Sequence, residues 1–196
     1  MKLWQAAGFA FTTLGGTLLH FLYDWTGSSI FVAPFSGVNE STWEHMKLLY
    51  FPLFLFALVQ SRFFRDRKNF WFVKLLGTVL GLTLIPVLFY TIHGVIGEMP
   101  DWVNIAIFYV TAAIVYLVEY RLLEIGWPKR CRPKLAFAAL CLIGLLFVLF
   151  TFATPQIPLF QRWRSIFSLI FRIFTSALLW WSIYGRREKV RFYRIL

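Results

Sequence analysis

Charge is scarce in this sequence, and negative charge scarcest. Only 15% of the 196 residues are charged, with nine acids against twenty bases. A soluble domain carries about 25% charged residues. Cysteine is nearly absent. Cys131 falls in a basic loop and Cys141 in an apolar run, with no Cys-x-x-Cys spacing, so neither a disulfide nor a thiol function is indicated. The chain has no internal repeat, no long heptad run and no low-complexity tract. Inverted repeats of the transporter type are not visible either.

What the chain has is apolar surface. Hydrophobic residues make up 59%, including 23 Phe and 9 Trp. A soluble core of this size could not hide so much, whereas lipid-facing residues need no burial against protein. The formal charge of +11 would suggest nucleic acid in a soluble protein. Here the bases stand in short blocks between apolar spans, with no soluble basic domain to dock on a duplex. That pattern reads as membrane topology. The expected partner is the lipid bilayer, not nucleic acid; the sequence is silent on oligomeric state.

A membrane helix needs about 20 mostly apolar residues. Candidate spans fall at about 3–22, 42–64, 70–92, 102–120 and 135–153, with a sixth at 165–184 that carries Arg172 in its middle. The first could be misread as a signal peptide, but its n-region holds only Lys2 and no small-x-small site follows. Pro52 is expected to kink the second span. With the N-terminus inside, sixteen Lys and Arg fall on the inner side and three (Lys47, Arg162, Arg164) on the outer. The inner group counts Lys74 with the loop cations Arg62, Arg65, Arg67 and Lys68. This agrees with the positive-inside rule. Asp24, Glu40, Glu44, Glu98 and Asp101 all fall outside, and Trp25, Trp43, Trp102, Trp163, Trp180 and Trp181 lie near expected interfaces. Glu119 is expected to pair with Arg121 or to reach the interface. The fold class is therefore all-α: one polytopic transmembrane helix bundle over 1–196, five or six spans, N-terminus cytoplasmic, in the plasma membrane.

Between the first two spans lies a polar island, His20 to Phe51, holding Asp24, Asn39, Glu40, Ser41, Glu44, His45 and Lys47. Ionisable groups beside a bilayer are costly and are functional candidates by default. Ser41-Thr42-Trp43-Glu44 matches a capping box. The run Asn39-Glu40-Ser41-Thr42-Trp43-Glu44-His45-Met46-Lys47, with Gly16, His20, Tyr23, Asp24 and Trp25 before it, resembles a family of small bacterial integral membrane proteins of unknown function. These carry an Asn-Glu-Ser-x-Trp-Glu-His-x-Lys signature. The resemblance covers roughly 1–160 and implies a membrane helix bundle but no activity. Such proteins end soon after a segment like Pro155 to Phe160; this chain continues into an Arg-bearing apolar stretch.

Three readings of the island stand side by side. In the first it is a metal site: His20, His45, His93 and Glu44 offer nitrogen and carboxylate ligands for a divalent ion such as zinc. No His-Glu-x-x-His is present, and the ligands would come from three helices. In the second, His20, Asp24, Glu40, Glu44 and His45 are catalytic groups for acid–base or proton chemistry. That would serve an enzyme or a proton-coupled transporter of a small solute. In the third the island is structural: Ser41 and Glu44 cap the second helix, Lys47 pairs with Glu44, and His20 bonds between helices. A transporter calls for a continuous polar path inward. The few polar positions deep in spans three to five speak mildly against one.

Overall fold

A computed structural model describes residues 1–97, 100–129, 132–161 and 176. Among these the fold is all-helical, with no strand. Five α-helices follow in order: α1 Lys2–Trp25, α2 Thr42–Ser61, α3 Phe70–Ile96, α4 Asp101–Ile125 and α5 Pro133–Phe152. A single 3₁₀ turn, Pro158–Phe160, closes the sequence of elements. The expected spans match these helices to within a few residues, except that α4 runs five residues further, to Ile125. The sixth candidate, 165–184, falls outside the described residues apart from Ser176. Among the described residues, three helices are long and apolar enough to cross a membrane: α3, α4 over Trp102–Ile125, and α5.

Helices α1 to α4 form the bundle. α1 and α2 run antiparallel, with Trp4 beside Phe63, Gly8 beside Phe56 and Gly16 beside Leu48. The close approach at Gly16 has a local cause. Pro52 has no N–H, so the carbonyl four residues earlier, Leu48, loses its helical partner. That carbonyl faces Gly16, where a Cβ would stand 2.8 Å from it. Gly16, with no Cβ, lets α1 come this close to the carbonyl.

α4 lies against α1 and α3. Tyr116 reaches α1 through a 2.8 Å hydrogen bond with Thr12, and His93 reaches α4 through a 3.1 Å contact between Nε2 and Asn104 Oδ1. α5 stands at the edge, with Leu135, Leu142, Leu145 and Leu149 exposed. Tyr50 holds it by donating to the Leu140 carbonyl at 2.6 Å. The core joins Met46, Leu48, Leu49 and Tyr50 of α2 to Ile85, Phe108, Ala112, Leu140 and Phe147. The 3₁₀ turn folds back so that Phe160 stacks on Trp43 with ring centroids 4.4 Å apart. Trp43, expected at an interface, is thus packed among Phe147, Phe150 and Phe160. The reason is the Pro155–Phe160 return, which brings Phe160 onto the indole.

Candidate functional site

The loop between α1 and α2 does not hang free. Gly27 and Ser28 both take positive φ, at 65° and 63°, and turn the chain back toward α1. The Ser36 hydroxyl then donates to the Leu19 carbonyl in a very short bond and accepts from the Tyr23 amide at 2.9 Å. Leu19 and Tyr23 are four apart, so one serine bridges a rung of the α1 hydrogen-bond ladder. Gly37 adds a bond from its amide to Leu19 O, and a Cβ there would sit 3.3 Å from His20 Nδ1. The loop therefore packs against the turn that carries His20.

The start of α2 is built on the expected cap. The Ser41 side chain accepts from the Glu44 amide at 3.4 Å. The return half of the capping box is different: Asn39 Oδ1, not Glu44, accepts the Ser41 amide, at 2.8 Å. Glu44 reaches past it to the Val38 amide at 2.8 Å and pairs with Lys47 at 2.7 Å. Lys47 is fully buried and also donates to the Ala33 carbonyl at 2.9 Å and to Thr151 Oγ1 at 3.1 Å. One ammonium thus ties together the loop, α2 and the end of α5. A buried charge needs this much compensation, because desolvation otherwise outweighs the Coulombic gain.

Beside this network, His20, Glu40 and His45 meet. Glu40 Oε1 lies 3.9 Å from His20 Nε2 and Glu40 Oε2 3.7 Å from His45 Nε2. The two imidazole rings are 5.7 Å apart between centroids. His45 Nδ1 lies 2.9 Å from the Ser41 carbonyl. A carbonyl can only accept, so Nδ1 carries the proton and Nε2 is the position left to gain one. Each oxygen of one carboxylate therefore faces a different imidazole, just beyond hydrogen-bond length. All three groups are part-exposed, with Glu40 about half so. His45 also borders a small, mainly apolar crevice lined by Thr42, Ile85, Phe89, Asn104, Ile107 and Phe108, with room for about one water molecule.

The sequence candidates thus separate. His20, Glu40 and His45 come together. Glu44 is adjacent, with Val38 and Lys47 as its partners. Asp24, one turn after His20 on α1, is exposed and has no part in the cluster. His93 lies across the crevice, bonded to Asn104 and packed on the Phe89 ring. Among the described residues, no group of three or more His, Cys, Asp or Glu is placed to hold a metal ion. The zinc set His20, His45, His93 and Glu44 is not assembled.

A second polar site was not legible in the sequence. Lys74 of α3 and Glu119 of α4 form an ion pair at 2.5 Å, both fully buried. Lys74 is thus no loop cation, and Glu119 does not pair with Arg121, which meets Glu124 at 3.4 Å instead. The physical reason is the helix crossing: Gly77 leaves a notch where a Cβ would be 2.5 Å from Glu119 Oε1, so the carboxylate seats against α3. Lys74 Nζ lies 5.2 Å over the Tyr116 ring and 5.7 Å over that of Phe70. With Thr78 and Thr111 also buried, spans three and four are more polar inside than expected. The available signal was the face Lys74, Thr78, Gly81, Ile85, Phe89, His93, which recurs at helical spacing.

No curated protein and no solved structure matches the chain. A model of one protein family matches residues 1–168, which takes in α1 to α5, the 3₁₀ turn and both polar sites. The chain belongs to that family, DUF6512, a family of unknown function.

Proposed function

We propose that the chain is a multi-pass plasma-membrane protein whose five helices span the bilayer, with the N-terminus cytoplasmic and the His45 end outside. Its working centre on this reading is the His20–Glu40–His45 cluster, a proton-exchanging acid–base centre open to a small solute from the outer side. The observation that carries it is one carboxylate whose two oxygens each face an imidazole Nε2. Imidazole is the side chain whose ordinary titration falls between pH 5 and 8. A protonated ring can close on the carboxylate, and a neutral one can take a proton from a bound solute. The charge distribution supports the orientation, and the part-exposure of His20, Glu40 and His45 supports access.

Ring-proton NMR of the purified protein across pH 5–8 tests the centre. Glu40→Gln is expected to shift the ring resonances of both His20 and His45 and to leave those of His93 in place. A variant in which either of the two rings is unmoved would remove the reading. Cysteine labelling from outside tests orientation, in a background lacking Cys131 and Cys141. A label at 37 and none at 66 is expected, and the reverse pattern inverts the topology.

Ser41, Glu44 and Lys47 have a different role. Their bonds are spent within the protein, and they hold the loop, α2 and α5 in the geometry that brings Glu40 between the imidazoles.

A further inference from the structure

The Lys74–Glu119 pair has unusual surroundings. Antiparallel packing places Gln5 of α1, Gln60 of α2, Lys74 of α3 and Glu119 of α4 near one level. Gly8 beside Phe56 and Trp4 beside Phe63 set Gln5 opposite Gln60. Gly8 beside Tyr116 sets Gln5 one turn from Glu119. Gln5, Gly8 and Thr12 share the buried face of α1. Six buried polar atoms at this level have no hydrogen-bond partner among the described residues: both amide atoms of Gln5, both of Gln60, Thr78 Oγ1 and Glu119 Oε1. Gln60 and Glu119 are fully buried, Thr78 is 1% exposed and Gln5 5%.

A buried polar atom left unsatisfied costs about 1–3 kcal/mol. Four helices each contributing such groups to one level is therefore a built feature. The groups include donors and acceptors: two carboxamides, a hydroxyl and a carboxylate oxygen. The partner must also donate and accept, and it must be small. Apolar side chains close the layer on both sides. Met1, Phe64, Phe70 and Leu123 pack at one end. Leu49 and Val115 approach Gly81 at the other. Water fits this chemistry, and water beside a carboxylate oxygen can deliver a proton to it.

We propose that this layer is an occluded, hydrated proton-binding site, in which Glu119 Oε1 takes a proton that starts on solvent hydronium and is relayed through water held by Gln5, Gln60 and Thr78, each water passing one proton on as it gains one and so ending neutral, while Oε2 stays on Lys74. The proton adds to the carboxylate, giving a neutral carboxylic acid beside the Lys74 ammonium. The charged and titratable groups facing it are few. α3 presents Lys74, and Tyr116 of α4 has its hydroxyl on Thr12. α1 and α2 present Gln5, Thr12 and Gln60, which do not titrate. Arg67, in the α2–α3 loop, donates instead to the Leu123 carbonyl, and Lys134 of α5 is exposed. The site stands independently of the His20–Glu40–His45 centre.

Infrared difference spectroscopy of the full chain in lipid bilayers tests this. On lowering the pH a carboxylic C=O band appears, and it moves down in D2O because the proton is exchangeable. The band is lost in Glu119→Gln and kept in Glu40→Gln and Glu44→Gln. In Lys74→Met, Glu119 loses its cation and the band is present across the whole pH range. Gln5→Leu with Gln60→Leu keeps the band but slows its response to D2O at least tenfold. Lys74→Met and the double glutamine variant keep the test alive where Glu119→Gln fails to fold. No pH-dependent band, a band that survives Glu119→Gln, or D2O exchange as fast in the double variant as in the parent would each overturn the proposal.

Discussion

At the His45 end, Glu44 has two partners and Lys47 three. At the Glu119 end, Lys74 and Glu119 have each other, and six polar atoms around them have no partner among the described residues. Both ends hold an ion pair that solvent scarcely reaches, so burial alone does not distinguish them. Wiring does. The first pair is bonded to a loop and a distant helix, which fixes geometry. The second is seated by packing and by the Gly77 notch, and its neighbours keep bonding capacity in reserve. A fully satisfied network specifies structure. A partly satisfied one, repeated over four helices, is where a ligand belongs.

The largest effect that separates the two ends is expected from Glu119→Ala. It leaves Lys74 buried without its carboxylate and costs about 3–5 kcal/mol, seen as a large fall in the thermal midpoint in detergent. Replacing both, Lys74→Met with Glu119→Leu, restores most of that stability, since an apolar pair of similar volume is often neutral or better. If the double variant is as unstable as the single, the pair is wired more widely than its contacts show.

Lys47→Ala comes next, at about 3 kcal/mol. It removes bonds to Ala33 and Thr151 as well as to Glu44, so it also frees the end of α5, measurable as faster proteolysis near Thr151. Gly77→Ala is expected to cost about 1–3 kcal/mol through overpacking against Glu119, read by the same melting measurement. Ser41→Ala removes the α2 cap for about 1 kcal/mol. The smallest change is Gln60→Leu: no protein group among the described residues bonds its carboxamide, so only bonds to water are lost and stability is nearly unchanged. A loss comparable to Ser41→Ala would show that Gln60 is wired like the other end.

The helices were legible because apolar runs of about 20 residues bounded by basic blocks have few other readings, and α3 begins where Phe70 follows the Arg62–Lys68 block. The outer cluster was legible in part. Polar density marked the island, and Ser41, Glu44 and Lys47 announced their cap and pair by local spacing. Local spacing says nothing of the partner of His20: Asp24, a turn away on the same helix, is exposed, while Glu40, in the loop, faces the ring. That contact depends on Ser36 folding the loop onto α1, which no periodicity encodes. Lys74 and Glu119 were hidden for a related reason. Each stands near the end of an apolar run, where a charge reads as an interfacial residue. Only the antiparallel crossing of α3 and α4 brings them together. Trp43 likewise depended on the return of Phe160.

The placement of the two ion pairs has a consequence for biosynthesis. A buried lysine or carboxylate is costly until it meets its counter-ion. Glu44 and Lys47 are three apart in one helix, so α2 carries its own counter-ion as it leaves the ribosome and needs no later segment to neutralise it. Lys74 and Glu119 are 45 residues apart on different helices. Lys74 is therefore made before its counter-ion. The short link between Ile96 and Asp101 lets α3 and α4 pair as a hairpin, so that burial of Lys74 against a carboxylate waits for synthesis of α4.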